Sequence, residues 1–235
     1  MAEKGKFPKH IGIILDGNRR FAKRLMAKPW MGHEWGAKKV EKLFEWGKEL
    51  GVKEFTLYAF SMQNFNRPKE EFDFLMKIFV DFFDRTKTND IIHENKIRIT
   101  FLGRIELFPK EVHDKMLELM EATKDHDSYS VNFAMAYGGR EELIDAIKKI
   151  GRKIEKNEIS IEDIDEKLVD ENLYSDHSPD LIIRTGGDHR TSNFLVWQSW
   201  YSEWFFLEKF WPEFEKEDLV YVIDQFQNRE RRYGK

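Results

Sequence analysis

The chain has 235 residues, 41% hydrophobic and 35% charged, with a formal net charge of −4 and no cysteine. That rules out a disulfide framework, a thiolate metal site and a Cys nucleophile, and it lacks the basic excess of a general nucleic-acid binder, so no nucleic-acid partner is expected. No apolar run approaches the ~18 residues that span a bilayer, and the opening MAEKGKF has no signal-peptide core, so one soluble domain over residues 1–235 is the expectation.

In chain order, short β-like runs alternate with helical patterns. His10–Leu15 reads as a strand, and Gly36–Leu50 as a helix with Ala37, Val40, Leu43, Phe44 and Gly47 on one face, ended by Gly51. Val52–Phe60 is a strand, followed by one long helix from Lys69 to about Glu94 with a stripe of Phe72, Leu75, Met76, Phe79, Phe82 and Phe83. Lys96–Leu102 is a strand, Lys110–Ala122 a helix, Tyr129–Ala136 a strand and Glu141–Lys156 a helix. The charged stretch Glu155–Asp170 reads as a solvated helix pair. Asp180–Arg184 is a buried-type strand, Glu203–Leu207 a short sixth, and Glu217–Arg232 a closing amphipathic helix. Alternation of this kind predicts an α/β domain: a mainly parallel six-stranded sheet flanked by helices. The aromatic content (20 Phe, 7 Trp, 7 Tyr) is high, and it serves either a Phe-rich core or the lining of an apolar cavity.

Ligands bind at the carboxyl ends of the strands in open parallel sheets, and the polar clusters fall there. The first strand ends on Asp16-Gly17-Asn18-Arg19-Arg20, and the second on Ser61-Met62-Gln63-Asn64-Phe65-Asn66-Arg67-Pro68. The fourth ends on Tyr137-Gly138-Gly139-Arg140, and the fifth on Arg184-Thr185-Gly186-Gly187-Asp188-His189-Arg190-Thr191-Ser192-Asn193. Arg19, Arg20, Arg67, Arg184 and Arg190 thus gather at one rim of an acidic protein, and guanidinium forks match phosphate oxygens. Gly17, Gly186 and Gly187 let backbone N–H groups approach a phosphate, and Ser61 and Ser192 add donors. Asp16 fits a Mg2+ ligand shared with a diphosphate better than a general base, the alternative being a turn Asp that caps the next helix. No Walker A pattern occurs, and Asn18 stands where a strand-end aspartyl phosphohydrolase needs its second Asp.

In sequence order, HIGIILDGNRRFAK, MGHEWGAKKV, YAFSMQNFNRP, NFAMAYGGR and RTGGDHRTSNFLVWQ with YSEWFF resemble the cis-prenyltransferases, the undecaprenyl diphosphate synthase family. The resemblance runs from about residue 8 to the NRERRYG near the end. It implies a homodimeric α/β fold with an apolar tunnel, and Mg2+-dependent condensation of isopentenyl diphosphate with an allylic prenyl diphosphate. It also implies a cytoplasmic enzyme that touches the membrane surface to release its product. By resemblance Asp16 holds the metal, with Glu203 and His189 as further metal-linked groups. Gly17, Asn18, Arg19, Arg20, Phe21 and His33 cradle the allylic diphosphate. Asn64 helps the proton leave, with Ser61, Met62, Gln63, Phe65 and Arg67 nearby. Arg184, Arg190, Thr191 and Ser192 form the isopentenyl diphosphate site, Phe72, Phe74, Phe79, Phe82 and Phe83 wall the tunnel, and Arg232-Tyr233-Gly234 reaches toward a partner's site.

Some positions depart from the family pattern. Pro29 replaces a phosphate-contacting Arg, Gln63 an acid, Phe65 a Trp, Trp35 a small residue and Arg104 an Asp. The bulk of Trp35 and the Phe content lead to the expectation of a short or medium product. A non-catalytic subunit of a heteromeric enzyme is the alternative, and it is disfavoured because Asp16-Gly17-Asn18 and Arg190-Thr191-Ser192 are kept.

Overall fold

The computed structural model describes residues 7–229. The strands are β1 (His10–Ile14), β2 (Glu54–Ser61), β3 (Ile97–Leu102), β4 (Tyr129–Tyr137), β5 (Leu181–Arg184) and β6 (Glu203–Phe206). They pair in the order β3-β4-β2-β1-β5-β6, every neighbouring pair parallel. The helices are α1 (Asn18–Arg24), α2 (Gly32–Leu50), α3 (Lys69–Lys87), α4 (Asp90–Glu94), α5 (Lys110–Ala122), α6 (Gly139–Glu155), α7 (Glu166–Asp170) and α8 (Lys216–Gln227).

Strand periodicity sorts the core into two layers. Ile11, Ile13, Phe55, Leu57, Val131 and Phe133 point into the larger one, where they meet residues of α2, α3, α5 and α8 such as Leu43, Phe82, Met116 and Val222. Their neighbours Ile14, Tyr58, Ala134 and Ile182 face the other way, against Tyr137, Phe194 and Leu195. From β1 the chain adds β2 on one side, passes to the edge strand β3, fills the gap between them with β4, and then crosses to place β5 on the other side of β1. The reversal therefore lies between the ends of β1 and β5, the position at which open α/β sheets form their crevice.

The helices differ from the sequence reading in three places. The helix expected from Lys69 to Glu94 is broken at Thr88, and Asn89 starts a new one: its side chain accepts a hydrogen bond from Ile91 N at 2.9 Å. The polar run after Gly17 is itself a short helix, α1. Within the charged stretch Glu155–Asp170, a tight turn at Ile161–Asp163 and the five-residue α7 replace the helix pair. The closing helix ends at Gln227, and Arg232-Tyr233-Gly234 lies outside the described residues.

Arg104, the departure after β3, has a partner in α6. Its Nε and Nη2 donate to the two carboxylate oxygens of Asp145 at 2.8 and 2.9 Å, which ties the end of β3 to that helix. The cap at Asn89 is testable: Asn89→Ala should cost about 1 kcal/mol, read as a lower urea midpoint at unchanged slope, while Asn89→Asp should retain most of it.

Candidate active site

The end of β1 is held from several sides. Thr185 Oγ1, just after β5, donates to Asp16 O at 2.8 Å and stands 3.1 Å from Asp16 N, which donates to it. Trp211 N donates to Asp16 O at 2.9 Å. Gly17 takes φ 101°, and a Cβ there would come within 2.7 Å of the Phe210 ring, so only glycine makes this turn. The Asp16 carboxylate is thereby fixed at the mouth of the crevice, its side chain 30% exposed. Oδ2 accepts from Arg184 Nη2 at 2.8 Å, and Oδ1 from Gly17 N at 2.6 Å and Arg20 Nη2 at 3.3 Å.

This carboxylate lies on the wall of a cavity of about 1040 Å3. Its rim carries Arg19, Arg20, Lys23, Arg67 and Arg190 together with Ser61, Asn64 and Ser192. Its deeper wall is apolar: Ala37 and Val40 of α2, Leu75, Phe79, Phe82 and Phe83 of α3, and Phe133 and Met135 of β4. Register shifts in the β2–β4 pairing around Tyr58–Ser61 end the ladder irregularly, beside the Ala59 and Ser61 that line the cavity.

A buried acid organises one side of the rim. Glu71 is 1% exposed, and its Oε1 accepts from Arg67 Nη1 at 2.9 Å. His33 Nε2 stands 3.4 Å from that oxygen and 3.0 Å from Arg67 Nη1, and Arg19 Nη1 lies 3.7 Å from Oε2. The His33 contact, then the charges of Arg67 and Arg19, hold the Glu71 carboxyl below its ordinary value against the opposing effect of burial. Burial lowers His33, so that ring is neutral near pH 7. On the opposite side Asp188 Oδ2 accepts from Arg20 Nη2 at 3.0 Å and from Arg190 Nη2 at 3.0 Å.

Of the residues singled out from the sequence, Asp16, Gly17, Asn18, Arg19, Arg20 and His33 line this cavity, and so do Ser61, Gln63, Asn64, Arg67, Arg190 and Ser192. Arg184 is 3% exposed and lies behind the wall, donating to Asp16, to Ser192 Oγ at 2.7 Å and to Arg190 O. Its Nε is buried with no partner among the described residues. Phe21 stands edge-on to Trp35, with ring centroids 5.5 Å apart. Phe65 belongs to a ring cluster with Phe60, Phe72 and Phe108, Met62 packs on the larger core, and Thr191 is exposed. Phe72 and Phe74 stand off the cavity wall.

The expected metal set of Asp16, Glu203 and His189 does not come together in this chain. Glu203 pairs with Leu181 at the amino end of β6, so in an all-parallel sheet it sits at the edge opposite Asp16, where Arg229 Nη1 donates to it at 3.0 Å. His189 is exposed and stacks on Phe206 at 4.9 Å. Among the described residues no group of three His or acidic side chains is placed to hold a metal. Glu71, Asp188 and Tyr58 receive no role from the sequence, although Glu71 follows Arg67 by one helical turn and Asp188 sits inside the fifth loop.

A crevice cationic at its mouth and hydrocarbon in its depth defines a site for a ligand that is phosphorylated at one end and greasy at the other. Residues 14–234 match the family model described as "Putative undecaprenyl diphosphate synthase". The chain is 47% identical over 235 residues to the tritrans,polycis-undecaprenyl-diphosphate synthase (geranylgeranyl-diphosphate specific) of Pyrococcus horikoshii, covering 99% of this chain and 89% of that one. It is 45% identical to the protein of the same description from Methanocaldococcus jannaschii, with 99% and 85% covered. The crystal structure of lavandulyl diphosphate synthase from Lavandula x intermedia in complex with dimethylallyl diphosphate superposes with a TM-score of 0.92 at 32% identity, covering 97% of this chain and 99% of that one. The chain belongs to the undecaprenyl diphosphate synthase family of cis-prenyltransferases, and it is an enzyme that transfers prenyl groups.

Removing the charge of Glu71 tests the buried network. Glu71→Gln should destabilise the fold toward the lower end of the ~3–5 kcal/mol seen when one member of a buried pair is lost, because Arg67 keeps some contact with water. The folded carboxyl lies below its unfolded value, so its stabilising effect is full above the ordinary Glu range and is lost as pH falls through the depressed value. Denaturant midpoints between neutral and acid pH should therefore converge for the two proteins as pH falls.

Proposed function

We propose that the chain condenses isopentenyl diphosphate with geranylgeranyl diphosphate, in a Mg2+-dependent reaction, to give a long Z-polyprenyl diphosphate. The observation that carries this reading is the union in one cavity of the Arg19, Arg20, Arg67 and Arg190 rim with the Phe79, Phe82 and Phe83 wall. The archaeal relatives, described as geranylgeranyl-diphosphate-specific undecaprenyl-diphosphate synthases, support the choice of primer and the long product. The bulk argument for a short product loses its Trp35 half, because Trp35 packs on Phe21 outside the cavity, while Phe79, Phe82 and Phe83 do line it. The volume of about 1040 Å3 also stands at the upper end of the ~300–1,000 Å3 usual for ligand pockets.

Asp16 suits a hard divalent ion. It is a partly exposed carboxylate on the cavity wall, and Mg2+ commonly takes one or two carboxylates with phosphate oxygens and water. Such an ion, when bound, supplies Lewis-acid stabilisation of charge growing on the departing pyrophosphate. Arg19, Arg20 and Arg67 donate to the departing diphosphate, and Arg67 is fixed on buried Glu71 before the reaction begins. The apolar wall keeps water from the allylic C1 while the isopentenyl double bond attacks it. Asn64 Oδ1 is taken by Ser61 N at 3.0 Å, so Asn64 offers the cavity its amide N–H and orients the isopentenyl group.

The single domain works as a homodimer at the cytoplasmic membrane surface in this reading. Strand β6 is a sheet edge, and Trp200 and Tyr201 nearby are 75% and 47% exposed, which suits a second copy. Leu25 and Met26 are 51% and 96% exposed between Lys23 and Lys28, which suits an anionic lipid surface that receives the product. Among the described residues no helix is long and apolar enough to cross a membrane.

Purified protein with Mg2+, labelled isopentenyl diphosphate and primers of several lengths should extract most label into butanol with geranylgeranyl diphosphate. Asp16→Asn should lower this at least ~100-fold, the scale of losing one group that stabilises transition-state charge. Release of phosphate from simple monoesters with no carbon–carbon bond formed would overturn the reading. Chromatography of dephosphorylated product sets its length, and chains that stop after one or two additions would overturn the long-product assignment.

A further inference from the structure

The Tyr137-Gly138-Gly139-Arg140 motif ends a strand at the rim of the sheet like the others, yet no role in the reaction falls to it. Its surroundings supply one. The segment after β5 that carries Arg190 and Ser192 has three non-glycine residues at positive φ: Ser192 at 50°, Asn193 at 65° and Leu195 at 44°. Asn tolerates this region, whereas for Ser and especially Leu it is costly and persists only where neighbours enforce it.

The neighbours doing so belong to the β4–α6 junction. Gly139 N donates to Asn193 O at 2.8 Å, and Arg140 N donates to Asn193 Oδ1 at 2.9 Å. Asn193 Nδ2 donates to Glu141 Oε2 at 2.9 Å. The Asn193 side chain therefore spends both its acceptor and a donor on one helix start. Gly138 makes the close approach possible: a Cβ there would stand 2.7 Å from Asn193 Nδ2 and 2.1 Å from Glu141 Oε2. From β2, Tyr58 Oη lies 3.3 Å from Ser192 O, and its ring stacks on Phe194 at 4.7 Å.

We infer that Asn193 and Glu141, seated on Gly138, form a latch that positions the Arg190–Ser192 arm against Arg184. Asn193 borders the cavity, but its amide oxygen is spent on Arg140 N and its amide nitrogen on Glu141, so it acts by positioning the arm. Asn193 fixes the backbone turn that brings Ser192 Oγ to 2.7 Å from Arg184 Nη1 and Arg190 O to the same guanidinium. This rests on the reading above that Arg184, Arg190 and Ser192 serve isopentenyl diphosphate, so the latch is a positioning device for one of the two substrates.

The test is steady-state kinetics on the full chain with each diphosphate varied in turn. Asn193→Ala should raise KM for isopentenyl diphosphate about tenfold or more, the scale of a lost hydrogen bond to a charged group, with KM for the allylic diphosphate within about twofold. Asn193→Asp should behave alike, because it faces the Glu141 carboxylate. The pair Asn193→Asp with Glu141→Gln restores a donor–acceptor match and should recover the KM, which a generally weakened fold would not do. Gly138→Ala should reproduce the Asn193→Ala defect by steric means. Ser192→Ala separates the two levels of the argument. If it raises the isopentenyl KM while Asn193→Ala leaves it unchanged, the latch is refuted and the site stands. If neither substitution moves that KM, the site assignment falls and the latch with it. Equal loss for both substrates, with no recovery in the paired variant, would reduce Asn193 to a structural residue and also overturn the latch.

Discussion

The contact on which the rest depends is the one between Asp16 and Arg184. It joins the ends of β1 and β5 where the chain reverses its direction across the sheet. Arg184 is nearly buried, and Asp16 is open to the cavity. A guanidinium removed from water requires an anion, and Asp16 supplies it from the mouth of the site. The same guanidinium grips Ser192 and the Arg190 carbonyl, so one buried cation sets the spacing between the metal-suited carboxylate and the opposite arm. Thr185 and Trp211 then fix the backbone of Asp16 itself. Loss of this junction would misplace both walls of the crevice at once.

Much of this was legible in the sequence because composition changes abruptly where strands end. The Ile11–Leu15 run stops on Asp16-Gly17, and β1 stops there too. The parallel order followed from alternation of strand and helix, and the rim followed from loops rich in Gly, Arg, Asn and Ser. The break before Asn89 carried a signal that the apolar run masked: at about 100° per residue Ile91 and Ile92 fall on the face opposite the Phe79, Phe82 and Phe83 stripe, so the period of α3 already ends before the Asn89 cap. Glu71 was hidden for the opposite reason. Acids in the first turn of a helix are ordinary, and only the fold shows that this one is sealed under Arg67.

Strand direction separates Glu203 from Asp16 within one chain. The family resemblance, not spacing in the chain, made His189 and Glu203 candidates beside Asp16. Yet β5 and β6 run parallel, so the chain must travel back across the sheet between Arg184 and Glu203. With a rise of ~3.3 Å per residue, the three-residue offset between Leu181 and Arg184 puts Glu203 roughly 10 Å from the functional rim. Register, absent from the sequence, sets that separation, while His189 follows β5 at the same end of the sheet as Asp16.

A protein with net charge −4 presents a cationic rim because its acids are arranged in two depths. Glu71 is sealed, its side chain 2% exposed, and its 2.9 Å bond holds Arg67 in a fixed direction, while Arg19, 48% exposed and 3.7 Å away, is held only loosely. Asp188 is 28% exposed and pairs with Arg20 and Arg190, which are 43% and 62% exposed. Ion pairs that exposed contribute little, ~0–1 kcal/mol, so a diphosphate can take over Arg20 and Arg190 at small cost. The buried acid thus preorganises Arg67 while the exposed acid merely keeps its cations until an anion arrives. The order of depth gives an acidic protein a mouth whose cations face the cavity.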